Sequence, residues 1–284
     1  KVDYHLNYIE ADELIDYAPK EEEDLSLIST ILQNRKCWRK CSGAIEILES
    51  YGKIIVKDKI PSIKIIDQTL SRQLISEAMI LYGNIISNFT MLNNIPVPYR
   101  VQVSTDKVIE NNIKDSGNNV MSNFLLKKKI GKSYYSINPI SHFSLGLKSY
   151  LHSTSPIRRY ADLLVHYQLN RYLNNKVLIP KEQVEKIILE INNLGRQNIM
   201  RFREDQKYWI SIWFKNNTFN EYKVLLLSWI NKYKNICILY FEDYNFSTIC
   251  NLNSKLNINT GDKFNVKNTI QNNNDMLYFE LISS

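Results

Sequence analysis

At 284 residues, with 44% hydrophobic and 23% charged side chains, the chain has ordinary globular composition and the length of about two domains. Eight Gly and seven Pro leave little room for flexible linkers, and no apolar run approaches the roughly 18 to 20 residues that span a bilayer, so disordered, collagenous and membrane-spanning classes are excluded. The net charge of +7 is unevenly spread: residues 1–24 carry −7 and the other 260 carry +14, an excess that favours an anionic partner such as nucleic acid. A membrane surface would call for a basic amphipathic helix, and none stands out. The four cysteines are too few for a disulfide scaffold, and Cys37 and Cys41 are not at the spacing of a zinc site, so a reducing compartment is expected. The opening Lys-Val-Asp-Tyr-His shows no initiator Met and no targeting pattern, which reads as part of a longer protein. Abundant Asn, Lys, Ile and Tyr fit an AT-rich genome, a drift that also raises net charge without any nucleic-acid partner.

In chain order, residues 11–32 are helical in spacing but interrupted at Pro19. The run Glu21-Glu22-Glu23-Asp24 falls in a first turn, where negative charge suits the helix dipole; a solvated helix start fits it better than a metal site, because neighbouring carboxylates point in different directions. Residues 43–57 read as a hairpin turning at Tyr51-Gly52. A helix is predicted over 71–92 with Leu74, Ala78, Leu81, Ile85 and Phe89 on one side, ended by Pro96-Val97-Pro98. Residues 103–133 are Asn-, Lys- and Ser-rich and read as a variable insert. Helices follow over 156–173 and 181–215, the second with a candidate kink at Gly195. The period then switches to two, giving five short strands at 223–230, 235–241, 246–252, 263–269 and 276–282, the pattern of a small OB-type barrel. The predicted architecture is α+β, with a helix-rich domain over 1–217 followed by a five-stranded β-barrel over 218–284.

The most informative stretch is 142–173, HFSLGLKSYLHSTSPIRRYADLLVHYQLNRYL. Thr154 or Ser155 is placed to cap a helix opening at Pro156. Ile157, Tyr160, Ala161, Leu164, Val165 and Leu169 then form its expected buried stripe. Arg158 and Arg159 would put two cations where the helix dipole is already positive, so something anionic should compensate them. An ion pair with Asp162 is the structural answer; a phosphate held by a guanidinium fork at the helix start is the functional one.

This string closely resembles the signature of the RNase II/RNase R (RNB) family of exoribonucleases. EADELIDYAPKEEEDL and ISEAMILYGNIISNFTMLNNIPVPYR are similar to segments of the same catalytic domain, and residues 222–284 to its C-terminal RNA-binding barrel. The resemblance implies processive hydrolysis of single-stranded RNA from the 3' end to nucleoside 5'-monophosphates, with Mg²⁺. By motif, it implies that Arg158 holds the scissile phosphate as the catalytic arginine. It places Glu77 at the 3'-terminal nucleotide, Glu204 of ArgPheArgGluAsp near the RNA path, and Ser155, Arg159 and His142 among the RNA-binding positions. Tyr160, on the buried stripe, is expected to pack, and for His142 and His152, both motif residues, a satisfied structural histidine is the commoner outcome. One departure matters: the family's Asp-x(5)-Asp-x-Asp-Asp metal cluster occurs nowhere in the sequence, so no metal ligand is assigned. The first recognisable segment normally follows that cluster, so the expectation is a chain lacking the front of the domain, from a bacterial cytoplasm or a plastid stroma. The competing readings are a non-catalytic RNA-binding relative and a structural module with a drifted basic surface. In the barrel, Trp229, Tyr240, Phe241, Tyr244, Phe246, Phe264, Tyr278 and Phe279 are each expected in the core rather than stacked on bases.

Overall fold

The computed structural model describes residues 5–103, 120–217, 220–253, 258–269 and 276–282. They gather into two compact units that interleave along the chain, one within 1–47, 68–118 and 125–196, the other within 48–67, 119–124 and 197–284.

In the first unit, α1 (Tyr8–Tyr17) starts on a reciprocal cap: the Asn7 side chain accepts from the backbone of Ile9 and Glu10, and Glu10 accepts from Asn7. Pro19 breaks the helical run, and α2 (Glu23–Cys41) begins after one 3₁₀ turn with Glu23 and Asp24 in its first turn and Arg39 and Lys40 in its last, both favourable to the dipole. In α3 (Leu70–Leu92), Asp12 of α1 accepts the Ser71 N–H at 2.7 Å, supplying from another helix the cap that Thr69 does not.

The buried side of α3 is Ser71, Leu74, Glu77, Gly83, Ser87 and Thr90, and Ile85 is 54% exposed, so the predicted apolar stripe is rotated. Close approach is the reason. A Cβ on Gly83 would lie 2.4 Å from the Leu151 carbonyl oxygen, so this contact selects small residues over large apolar ones.

The strands β3 (Tyr99–Val101) and β4 (Tyr134–Ser136) pair antiparallel beside a core of Ile95, Val97, Tyr99, Val101, Leu151 and Val165. Residues 104–119 of the expected insert lie outside the described residues, and its later part is ordered as α4 (Val120–Lys129). A second cluster, Ile137, Leu164, Val184 and Ile188, joins α5 (Tyr160–Leu173) to the first half of α6 (Lys181–Asn216), which continues as helix through Gly195.

The second unit opens with the hairpin β1 (Tyr51–Lys57) and β2 (Ile60–Ile66). Its turn is Asp58-Lys59, both at positive φ, as a two-residue turn of the I′ type requires. The turn predicted at Tyr51-Gly52 is therefore displaced by about one strand length, because the true turn carries no glycine. Gly52 lies within β1 for a different reason: its N–H bonds the Asn245 carbonyl at 2.8 Å, and a Cβ there would stand 2.1 Å from the Tyr244 carbonyl oxygen.

The strands β5 (Glu221–Asn231), β6 (Ile236–Phe241), β7 (Phe246–Asn253), β8 (Lys263–Thr269) and β9 (Leu277–Ile282) close into a barrel in the order β5-β6-β7-β9-β8, with β7 and β9 parallel and the other pairs antiparallel. This is the predicted five-stranded barrel, each strand within about two residues of expectation. Phe241 and Phe279 are fully buried, and Trp229, Tyr244, Phe246 and Phe264 pack against them, so these aromatics are core. Trp213 and Phe214, at the end of α6, belong to the same core. By contact, the hairpin and the end of α6 group with the barrel: Trp213 and Phe214 belong to its core, and Ile63 packs against it.

Candidate nucleic-acid interface

Residues 154–159 approach α5 as a turn rather than as its first turn of helix. The Ser155 carbonyl accepts from the N–H groups of Arg158 (3.3 Å) and Arg159 (3.0 Å), which makes Pro156 the second residue of a tight turn and delays the helix to Tyr160. The cap assigned to Thr154 or Ser155 is not formed; Arg159 holds the N-cap position. With the helix start moved by four residues, Ile157 is fully exposed and Tyr160 is 58% exposed, so neither belongs to the buried stripe, whereas Ala161, Leu164 and Val165 do.

Asp162 organises the turn. It is fully buried, and its Oδ2 accepts the Ser155 N–H at 2.9 Å and faces Arg159 Nε at 3.1 Å. Arg159 also donates to Thr154 Oγ1 at 3.2 Å. The two arginines are thereby separated in role. Arg159 is neutralised and partly buried, and the ion pair considered for Arg158 goes to its neighbour instead. Arg158 is exposed, touches Ser155 Oγ at 3.4 Å, and among the described residues has no carboxylate partner.

Behind the turn lies a buried polar cluster. Arg100 on β3 stacks 4.7 Å over the ring of Tyr135, its register partner on β4, and donates to Ser133 Oγ at 2.6 Å. Burial raises the Tyr135 phenol, so it stays protonated, and its hydroxyl is hydrogen-bonded to His152 Nδ1 at 2.8 Å. Tyr150 stands edge-on to both His152 (5.5 Å) and His142 (5.7 Å). Burial, followed by Arg159 and Arg100, pushes His152 down to about 3; burial, followed by Arg100, pushes His142 down to about 4. Both imidazoles are neutral at physiological pH, and His142 is buried.

Glu77 lies elsewhere in this unit. It is 2% exposed and accepts from Arg39 Nε at 2.9 Å and Arg39 Nη2 at 2.6 Å, while Arg39 Nη1 reaches the Leu145 carbonyl at 3.0 Å. Its carboxylate is thus occupied by an arginine. A cavity of about 940 Å³ opens nearby, lined by Lys40, Cys41, Asn84, Asn88, His142 and Lys148 among others. Glu204 is exposed on the part of α6 that belongs to the second unit.

Ser155, Arg158 and Arg159 are therefore gathered at one turn with His142 behind them, whereas Glu77 and Glu204 sit on other parts of the molecule's two units. Asp162 is legible in the sequence only as a partner for Arg158; Arg100 and Tyr150 stand inside the two family-like segments that end at Arg100 and cover 142–173 but carry no assigned role there, Tyr135 lies in neither, and long-range packing brings the three together. The carboxylates at hand do not fit a magnesium ion. Glu77 and Asp162 are each held by an arginine, and among the described residues no group of three or more His, Cys, Asp or Glu side chains is arranged as a ligand set. No helix among the described residues is long and apolar enough to cross a membrane.

Comparison with known proteins bears on this face. Residues 1–175 match the model of the RNB domain. The chain is 29% identical over 86% of its length to an uncharacterized ribonuclease of the cyanobacterium Synechocystis sp., and 30% identical over 73% to the chloroplastic/mitochondrial ribonuclease II of Arabidopsis thaliana. It spans 37% and 27% of those relatives. Among solved structures, RNase R of Mycoplasma genitalium in complex with ribose-methylated single-stranded RNA shares the fold at a TM-score of 0.80 and 18% identity, covering 97% of this chain and 53% of that one.

Proposed function

The chain belongs to the RNB-domain family, and from that premise we propose that it serves a 3'-to-5' exoribonuclease that hydrolyses single-stranded RNA to nucleoside 5'-monophosphates. The observation that carries this reading is the division of labour at the turn: Asp162 neutralises Arg159 and leaves Arg158 exposed without a carboxylate partner among the described residues. A guanidinium fixed on a tight turn offers paired N–H donors to phosphate oxygens and stabilises negative charge that builds there during displacement. Ser155 and Arg159 act through the turn, one by its backbone and one by its ion pair. Glu204, exposed beside Arg203 and Lys207, would meet the RNA path from its own unit. The relatives in a cyanobacterium and a plant organelle favour a bacterial cytoplasm or a plastid stroma.

Magnesium, where a complete family member holds it, supplies an activated water and charge neutralisation at the phosphate. None of the steps assigned to this chain's residues passes through it. A second reading, a non-catalytic RNA-binding relative, is favoured by the engagement of Glu77 and Asp162 with arginines.

The test is incubation of the chain with 5'-labelled single-stranded RNA and Mg²⁺, with an EDTA control and an Arg158→Ala variant. A metal-dependent ladder shortening from the 3' end, lost in the variant, supports the enzyme. RNA bound but intact, with Arg158→Ala weakening binding, supports the second reading. Binding unaffected by Arg158→Ala refutes the phosphate role.

A further inference from the structure

The cluster behind the Arg158 turn holds more positive charge than it balances. Two guanidinium groups, Arg100 and Arg159, are near enough for each to act on His152 and for Arg159 to act on Arg100, and Asp162, the carboxylate beside Arg159, is already taken by it. His142 and His152 are neutral and add no negative charge. Arg100 is partly buried, and its polar contacts are a hydroxyl and an aromatic face, with no carboxylate partner among the described residues. A partly desolvated cation without a counter-ion is unfavourable unless an anion joins it.

The sequence leading into the same strand is itself cationic. Lys127, Lys128 and Lys129 form the last turn of α4, Lys132 follows, and Ser133, the hydroxyl bonded to Arg100, comes next. Tyr134, the first residue of β4, is 41% exposed. This face of the β3–β4 ribbon thus combines a preset guanidinium, a hydroxyl donor and a basic approach, groups that track a single-stranded backbone through its phosphates.

We propose that Arg100, with Ser133 Oγ beside it, is a second phosphate-binding group that takes a backbone phosphodiester of the RNA strand other than the one at Arg158. Tyr135 holds the guanidinium plane flat by stacking, and Ser133 fixes one edge of it, leaving the remaining N–H groups for the phosphate oxygens. The inference rests on the RNA-binding reading of the Arg158 turn and extends it from one contact to two.

Fluorescence anisotropy of the chain with a 5'-fluorescein single-stranded RNA, titrated across salt concentration, tests it with Arg100→Gln, Arg100→Lys and Arg158→Ala. Loss of one phosphate contact in Arg100→Gln should weaken binding about tenfold at low salt and reduce the slope of log affinity against log salt by about 0.7. Arg100→Lys should recover the slope but only part of the affinity, because the charge returns without the fork. Circular dichroism of each variant separates lost contact from lost fold; should Arg100→Gln fail to fold, Arg100→Lys binding as tightly as the unaltered chain overturns the proposal. Binding weakened by Arg158→Ala but unchanged in affinity and slope by Arg100→Gln overturns the second site alone. No binding by the unaltered chain overturns both.

Discussion

Replacing Glu77 by Gln separates a structural role from a nucleotide contact. Arg39 is 8% exposed and Glu77 2%, and the guanidinium meets the carboxylate through Nε at 2.9 Å and Nη2 at 2.6 Å. Removing one member of so buried a pair leaves the other uncompensated, which costs about 3–5 kcal/mol; the amide keeps the volume and one acceptor, so the lower end applies. At roughly 2–4 °C per kcal/mol for a unit of this size, the melting temperature should fall by about 6–12 °C. Replacing both partners by apolar residues, Arg39→Met with Glu77→Leu, should restore part of that loss, because only the charge of Arg35, whose Nε stands 4.0 Å from the Glu77 carboxylate, is left without its partner. Thermal and urea unfolding of the two single variants and the double variant form a cycle, with an expected coupling of at least about 2 kcal/mol. A Glu77→Gln protein that melts within a degree of the original, or single effects that simply add, would refute the reasoning. If Glu77→Gln melts normally yet loses RNA affinity, the carboxylate serves the 3'-terminal nucleotide instead.

Asp162→Ala should release both Ser155 and Arg159, destabilise the chain by about 3 kcal/mol and weaken RNA binding to nearly the level of Arg158→Ala; tight RNA binding by a folded Asp162→Ala protein would remove its organising role. Gly52→Ala drives a methyl against the Tyr244 carbonyl and should cost about 1–3 kcal/mol, whereas Gly195→Ala, with nothing within 4 Å, should stabilise by about 0.5–1 kcal/mol; urea midpoints that move the two in the same direction would contradict the packing described. His142 and His152 have folded values of about 4 and 3, below their unfolded value near 6.5, so the unfolded chain binds more protons between those limits. The stability they allow is full above pH 6.5 and lost as pH falls toward 4 and then 3, with a slope of up to about 1.4 kcal/mol per pH unit for each. Urea unfolding at pH 7, 6 and 5 checks this, and His152→Gln should flatten the dependence; an unchanged slope would sink it.

The barrel was legible because alternation survives in short strands whatever their partners, and β5 to β9 fall where period two placed them. Helix positions were legible for the same local reason, but helix faces only in part, as with Ala161, Leu164 and Val165 of α5. The stripe on α3 read from Leu74 to Phe89 missed the buried side of Gly83, Ser87 and Thr90, where Gly83 meets Tyr150 and Leu151 so closely that small residues are favoured over large apolar ones. Pro156 misled in a similar way: the residue type suits a first helical position and a tight turn equally, and the choice was made by Asp162 reaching back to Ser155. The hairpin turn was misplaced because Asp58-Lys59 lacks the glycine that usually marks one. At the candidate site, the arginine pair and Tyr150 fall within one readable motif, while Arg100 and Tyr135 are joined to it only by tertiary contact.

The hairpin of residues 51–66 has a consequence for the birth of the chain. Its neighbours Tyr244, Asn245 and Phe246 are made about 180 residues later, which at roughly 5–20 residues per second is a wait of about 10 to 35 s on the ribosome. Throughout that interval a two-stranded ribbon carrying Ile54, Ile55, Ile63 and Ile65 has no barrel to lie against, and an isolated hairpin is marginal in water. Nascent chains stalled before residue 244 should therefore recruit chaperones at this ribbon, and a break anywhere in the barrel should be felt first by a segment far upstream of it.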